Sequence, residues 1–410
     1  MRCSTLLRVT LFLSLIIIAL YQLRIALVAQ TAYSNISPSK AIKKYQSKPR
    51  LLVEYGKEEI LQGNHENAKE WLQKSLQANP VYIPAWLTLA ELENDVGNPG
   101  RSLEILEYLD QLMQGVLRWR WEKAMLAYLL GREDMLKADL SWLLQQEYLS
   151  GQTRTKILNF AFFLWPEPAE LVKEMGGENK TLLFLHAIRE KNTAAATYLW
   201  PMTDFAQLDN NQVLQYINLL INSHQVDDAA LIWKKYYPSD TLLYNGRFSF
   251  PLVKSGFGWR VWSQGLLDNE IDVEVLNQNV DKTALHIHFN GKENVHFRHI
   301  KQIVPLSSGQ SFTLSGEIRS KNLTTDQRPF LEVIGRPSGE DCSMRFTTEM
   351  VEENQDWTPF ALDFTVPDEC SQGVEIRLRR LPSQKIDSLI SGDLWLTHLS
   401  LENAPHNTLQ

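Results

Sequence analysis

His286, His288, His296 and His299 crowd one short stretch of this 410-residue chain, and imidazole is the side chain most often recruited to bind zinc or copper. On a strand, His286 and His288 point to the same side and could start such a site, with His296 as a third ligand from a neighbouring strand. The commoner arrangement is a solvent-facing row opposite Leu285, Ile287 and Phe289, and no metal is expected on that reading. Acidic pairs at Asp227-Asp228, Glu340-Asp341 and Glu352-Glu353 have the residue type of glycosidase carboxylates, but adjacent acids at turns and helix starts read as solvated. The chain has no Gly-x-Ser-x-Gly elbow, no phosphate loop, no His-Glu-x-x-His and no Cys-x-x-Cys. No catalytic constellation and no cofactor are therefore expected, and the chain reads as a binding protein.

Binding chemistry is better represented. Trp259 and Trp262 lie in a Gly-rich segment from which a loop could present them, and an exposed indole offers an apolar face to a pyranose ring. They are the expected ligand contacts, and their alternative role is to close one end of a β-sandwich. Trp357 and Trp395 fall on regular strands. Cys342 and Cys370 are the only cysteines besides Cys3, and both stand at strand-like positions in one domain. A disulfide between them would fit an oxidising compartment, and two free buried thiols are the alternative.

These residues must be positioned by more than one domain, since 410 residues allow two or three. A composition of 44% apolar and 22% charged residues is that of a globular chain. A net charge of -7 gives no uniformly basic surface, which argues against nucleic acid as a partner.

Residues 1–30 carry an apolar run from Val9 to Ala29, interrupted by Tyr21, Gln22 and Arg24. That length suits a single transmembrane helix, with a cleaved signal peptide as the alternative; the lack of a small-x-small pair at its end favours the anchor. Arg2 and Arg8 favour a cytoplasmic N-terminus, whereas Lys40, Lys43, Lys44, Lys48 and Arg50 oppose it. The cysteine pair tips the expectation toward a bacterial inner-membrane protein with everything after about residue 30 in the periplasm. Residues 31–48 read as a polar tether.

From residue 49 to about 240 the apolar period is helical. Counting from Pro49, the residues Leu52, Tyr55, Gly56, Gly63, Ala68, Leu72, Ser75 and Pro80 follow a pattern that restarts at Ile83 with Trp86, Leu89, Ala90, Gly97, Ser102, Leu106 and Leu109. A third, degenerate copy over 116–148 keeps Ala124 and Gly131. Further helices are predicted near 153–164, 180–190, 193–207, 211–223 and 227–236, punctuated by Pro166, Pro168, Pro201 and Pro238. Beyond Tyr244 the period becomes 2, as in Phe360, Leu362, Phe364 and Val366 or Val374, Ile376 and Leu378. Eight to ten strands with turns at Asn290-Gly291 and Ser308-Gly309 predict an antiparallel β-sandwich over 241–404.

The 34-residue pattern resembles the tetratricopeptide (TPR) repeat family. Such repeats stack into a solenoid whose concave groove binds other proteins, and the resemblance implies inward-facing contacts at Val53, Lys57, Ile60, Leu87, Glu91 and Asn94. The strand region is similar to a jelly-roll, galactose-binding-like carbohydrate-binding module. The resemblance rests on Asn245-Gly246-Arg247-Phe248, Gly258-Trp259-Arg260, Leu285 to Phe289, Gln302 to Pro305, Trp357 to Pro367 and Gly392 to Leu396, and it implies that Trp357 and Trp395 pack into the core. Modules of that kind often hold structural calcium through an Asp two residues after the final Trp; Thr397 stands there, which leaves calcium in doubt. The pairing of helical repeats with such a module resembles membrane-anchored proteins of bacterial exopolysaccharide and cell-envelope systems. The resulting expectation is an α + β multidomain, non-enzymatic adaptor that binds a protein partner and, through the sandwich, a polysaccharide. A purely protein-binding scaffold and a divergent carbohydrate-active enzyme are the alternatives.

Overall fold

A computed structural model describes residues 48–239, 241–261, 271–279, 282–337 and 342–404, with the backbone alone for 271–279 and for residue 282. The apolar segment from Val9 to Ala29, the tether, Cys3 and Trp262 lie outside the described residues. Among the described residues no helix is long and apolar enough to cross a membrane. The chain divides into two compact units, one ending at Asn179 and the other starting at Lys180. The sequence boundary near 240 marks the change from helix to strand, but the last helical hairpins share a compact unit with the strands.

The first unit is built from α1 (Pro49–Leu61) and α2 (His65–Ala78), α3 (Ile83–Asp95) and α4 (Pro99–Leu112), α5 (Arg120–Leu129) and α6 (Glu133–Leu144), then α7 (Gly151–Leu164) and the short α8 (Pro168–Leu171). The repeat is visible atom by atom. Gly63, Gly97 and Gly131 hold left-handed backbone at φ 78°, 88° and 68°, ending the first helix of each hairpin. The next residue turns its amide back to the first helix, Asn64 to the Glu59 carbonyl at 2.9 Å and Asn98 to the Glu93 carbonyl at 2.8 Å. Asn64 and Asn98 each also donate a side-chain bond of 3.0 Å to Glu59 and Glu93. The small residues Ala68, Ala90, Ser75 and Ser102, all fully buried, let the helices approach closely. The Ser75 and Ser102 hydroxyls donate to the Pro49 and Ala90 carbonyls, so neither polar group is orphaned.

The second unit opens with two hairpins, α9 (Lys180–Arg189) with α10 (Thr193–Leu199) and α11 (Asn210–Asn222) with α12 (Val226–Tyr236). The helix predicted over 193–207 is broken: Pro201 ends α10, and two 3-10 turns, Trp200–Met202 and Phe205–Gln207, follow. Asp209 and Gln212 form a reciprocal capping box that starts α11.

Among the described residues the sandwich has ten strands: β1 (Arg260–Val261), β2 (Ile271–Asn279), β3 (Lys282–Asn290), β4 (Phe297–Val304), β5 (Ser311–Lys321), β6 (Phe330–Gly335), β7 (Arg345–Thr347), β8 (Gln355–Thr365), β9 (Val374–Arg380) and β10 (Ser391–Asn403). They form two antiparallel five-stranded sheets, ordered β1-β4-β9-β6-β7 and β2-β3-β10-β5-β8. Alternate residues such as Leu285, Ile287, Leu314, Phe364, Ile376, Leu378, Leu394 and Leu396 meet in one core between them. Cys342 and Cys370 are joined by a disulfide, and Gly335 lies so close that a Cβ there would meet both sulfurs.

Candidate functional site

In the first unit α1 packs on α3 and α3 on α5, so the first helices of three hairpins form one face. Of the six residues expected on that face, four keep solvent contact: Lys57 and Glu91 are exposed, Ile60 and Asn94 half-buried. Val53 and Leu87 are corrections. They are 1% and 5% exposed, because apolar side chains at these equivalent positions fill the seam between helices. Glu91 sits within electrostatic reach of Lys57 on α1, Asp95 on its own helix and Glu122 on α5. Although Glu91 keeps solvent contact, desolvation by the surrounding protein raises its carboxyl pKa; Lys57 opposes the rise, and Asp95 and Glu122 add to it. With one cation against three acids, this part of the groove is negative. Tyr82, the residue before α3, lies within electrostatic reach of Arg50, Glu54 and Arg118.

The first unit also holds an ionic cluster that nothing in the repeat pattern announced. Lys123 is 0% exposed, 3.0 Å from Asp139 and also paired with Asp110. Arg120 bonds Asp139 at 3.0 Å and stacks its guanidinium 4.0 Å over Trp142. The cluster ties α4, α5 and α6 together where small residues are replaced by larger ones.

The sandwich rearranges the expected sites. Trp259 is a correction: it is 1% exposed, packed with Phe248 at 5.6 Å inside the core, so it presents no platform to a ligand. Trp262 lies outside the described residues. Trp395 and Trp357 are corrections in the opposite sense, for both are only half-buried. Leu394 and Leu396 take the core side of β10, and strict alternation sends Trp395 to the solvent face. There its ring stacks on His286 at 4.8 Å and lies 5.1 Å from the Arg319 guanidinium, side chains of the two strands flanking β10.

His286 and His288 do share a face, as their spacing predicts, but both turn to one carboxylate: each has a ring nitrogen 2.8 Å from Asp393 Oδ1. Desolvation pushes the Asp393 pKa up, yet the bonds from His288 and His286 outweigh it and hold the group below its usual range. His296 is not near them; its charged neighbours are Arg379, Arg298 and Arg377 around the other sheet. Among the described residues no cluster of three or more metal-ligating side chains occurs. Thr397 is buried, and its hydroxyl donates to the Thr283 carbonyl.

The hairpin α11/α12 rests on the sandwich within the second unit. Trp233 stacks on Tyr237 at 4.3 Å and meets Tyr244 and Phe257 edge-on at 5.2 and 5.8 Å. Asn218 accepts from the Gly256 amide at 3.0 Å and the Arg260 guanidinium at 3.2 Å. The hollow beside these rings, about 620 Å³, is bounded by Trp233, Tyr237, Tyr244, Phe257 and Pro305.

No protein-family model matches the chain, and no curated protein matches it. Among solved structures, "CBM4 structure and function" aligns with 40% of this chain and 99% of its own at 17% identity and a TM-score of 0.28. A Pseudomonas aeruginosa pilF structure aligns with 47% of this chain and 93% of its own at 18% identity and 0.26. The TPR protein YrrB aligns with 49% and 90% at 9% identity and 0.25. At these scores the similarities assign no function.

Proposed function

We propose that this protein is a non-enzymatic scaffold whose helical hairpins hold a segment of a protein partner while the β-sandwich contacts a glycan. One observation carries the reading: polar side chains from the first helices of three successive hairpins, Lys57, Glu91 and Glu122, converge on one face, with half-buried Ile60 and Asn94 on the same helices. A preformed groove of this kind binds without ordering itself first, and its negative charge selects a segment carrying Lys or Arg. The apolar N-terminal segment would anchor the chain to a membrane, and the Cys342–Cys370 bridge fits residence in an oxidising compartment such as the bacterial periplasm. Envelope or exopolysaccharide assembly is the setting that joins these features.

Selection from a random peptide display library on the full chain tests the groove. Enriched peptides should be basic, and Glu91→Lys with Glu122→Lys should abolish their binding. Enrichment that survives both reversals contradicts the proposal.

A further inference from the structure

The sheet β1-β4-β9-β6-β7 turns an arginine-rich face outward. Register places Glu332 opposite Arg377, and Phe330 opposite Arg379, on the side of β6 and β9 away from the core residues Leu331, Val333, Ile376 and Leu378. Glu332 is 0% exposed and lies 2.6 Å from Arg345, in contact with Arg377, and 3.7 Å from Arg379. The Arg379 Nε is buried and has no hydrogen-bond acceptor among the described residues. Arg298 stands close enough for Arg379 to feel its charge. Three guanidiniums thus surround one carboxylate with Arg298 beside them, a local charge of +3 on a chain whose net charge is -7. Glu375 pairs with Lys301 at 2.9 Å and lies 3.7 Å from Arg377, and the charges of Lys301 and Glu375 cancel.

Next to the arginines is a shallow hollow of about 380 Å³ lined by Phe330, Arg345, Thr347, Thr348 and Met350. That volume is in the range of small-ligand sites. An apolar floor beside hydroxyls and a guanidinium suits one sugar ring, whose C–H face needs apolar contact and whose hydroxyls need partners. The planar fork of an arginine matches a carboxylate in two parallel bonds, and Glu332 holds three such forks in place before any ligand arrives. Along a strand, side chains on one face repeat every other residue, and neighbouring strands lie about 4.8 Å apart. Cations so spaced meet a polymer with regularly repeated charge better than an isolated ion.

We propose that this face binds an acidic polysaccharide, with a uronate-bearing residue seated in the hollow between Phe330 and Arg345 and its carboxylates paired to Arg298, Arg345, Arg377 and Arg379. The inference rests on the reading of the sandwich as a glycan-binding module and specifies the class of glycan.

Titration calorimetry of the full chain with polygalacturonate, xylan and dextran tests it. Polygalacturonate should bind, the affinity should fall with added salt, and Arg298→Gln and Arg345→Gln, both exposed side chains, should each weaken it on the order of tenfold. Equal binding to neutral xylan or dextran would overturn the acidic specificity but leave the glycan-binding module standing; no binding to any of the three would remove both. Displacement of polygalacturonate by single-stranded DNA or poly-glutamate at equal charge would reduce the face to a plain anion exchanger and overturn the proposal. The unaltered protein gives an independent reading through His296, which feels Arg379, Arg298, Arg377 and Glu332. A seated carboxylate should raise the imidazole pKa in an NMR titration, and an unmoved His296 at saturating polygalacturonate contradicts the assignment.

Discussion

Single residues decide how much charge this protein can bury. Asp139 carries two cations, Lys123 and Arg120, that are themselves almost fully buried. Asp139→Ala leaves Arg120 without a carboxylate and Lys123 with Asp110 alone, and should cost about 3–5 kcal/mol in denaturant unfolding. The triple change Arg120→Leu, Lys123→Met and Asp139→Leu removes all three buried charges and should recover a large part of that loss. Glu91 supplies a pH signature. Its folded carboxyl pKa is raised, so the native state holds the proton more tightly than the unfolded chain. Stability should therefore rise as pH falls from the folded value of Glu91 toward the ordinary carboxylate value near about 4.3, and Glu91→Gln should flatten that part of the pH–stability curve. Little of this was legible in the sequence. Lys123 and Asp139 sit in the degenerate third copy, where periodicity shows a helix but does not show which polar residue it turns inward. The aromatic residues misled for a related reason: a Gly-rich segment suggested that Trp259 lies outside and the resemblance to a carbohydrate-binding module that Trp395 packs inside, whereas strand parity and the core around Phe248 decide the reverse.

Among the elements, the turn inside each helical hairpin explains where the repeat can be read. Gly63, Gly97 and Gly131 mark three of them, 34 residues apart. In the second unit the same left-handed position is taken by Lys191 at φ 57° and His224 at φ 60°, each followed by a backbone bond of 2.9 Å to the first helix, Asn192 to Ala187 and Gln225 to Leu220. The geometry persists after the glycine signal is lost, which is why the later hairpins read only as helices. Left-handed backbone costs an ordinary residue about 1–2 kcal/mol. His224→Gly and Lys191→Gly, both at exposed sites, should each raise stability by about 1 kcal/mol in thermal or urea unfolding, whereas Gly97→Ala should lower it by a similar amount. The strands were legible for the complementary reason. Alternation in Leu285 to Phe289 and Val374 to Leu378 records directly which face meets the core, but strand order and the arginine cluster around Glu332 arise from pairings distant in the chain.

At the scale of the whole molecule, the two units carry surfaces of opposite charge: acidic side chains on the first helices of the hairpins in the first and an arginine face on the sandwich in the second. The disulfide closes a stretch of chain whose ends are 28 residues apart, and by the loop-closure argument contributes about 3.5 kcal/mol to the folded sandwich. Dithiothreitol should accordingly lower the thermal midpoint of the strand region, and mass spectrometry of non-reduced native protein should find Cys342 and Cys370 bridged; free thiols in protein taken from its host would argue against an exported location. The central claim is that the face formed by the first helices holds a partner, and position-specific photo-crosslinking in the host cell addresses it most directly. A photoreactive residue at Lys57, Glu91 or Glu122 should give one discrete adduct that a basic peptide competes away, and the same residue at Glu70 or Gln73 on α2 should give none. Adducts from α2 with none from the three groove positions would contradict the account.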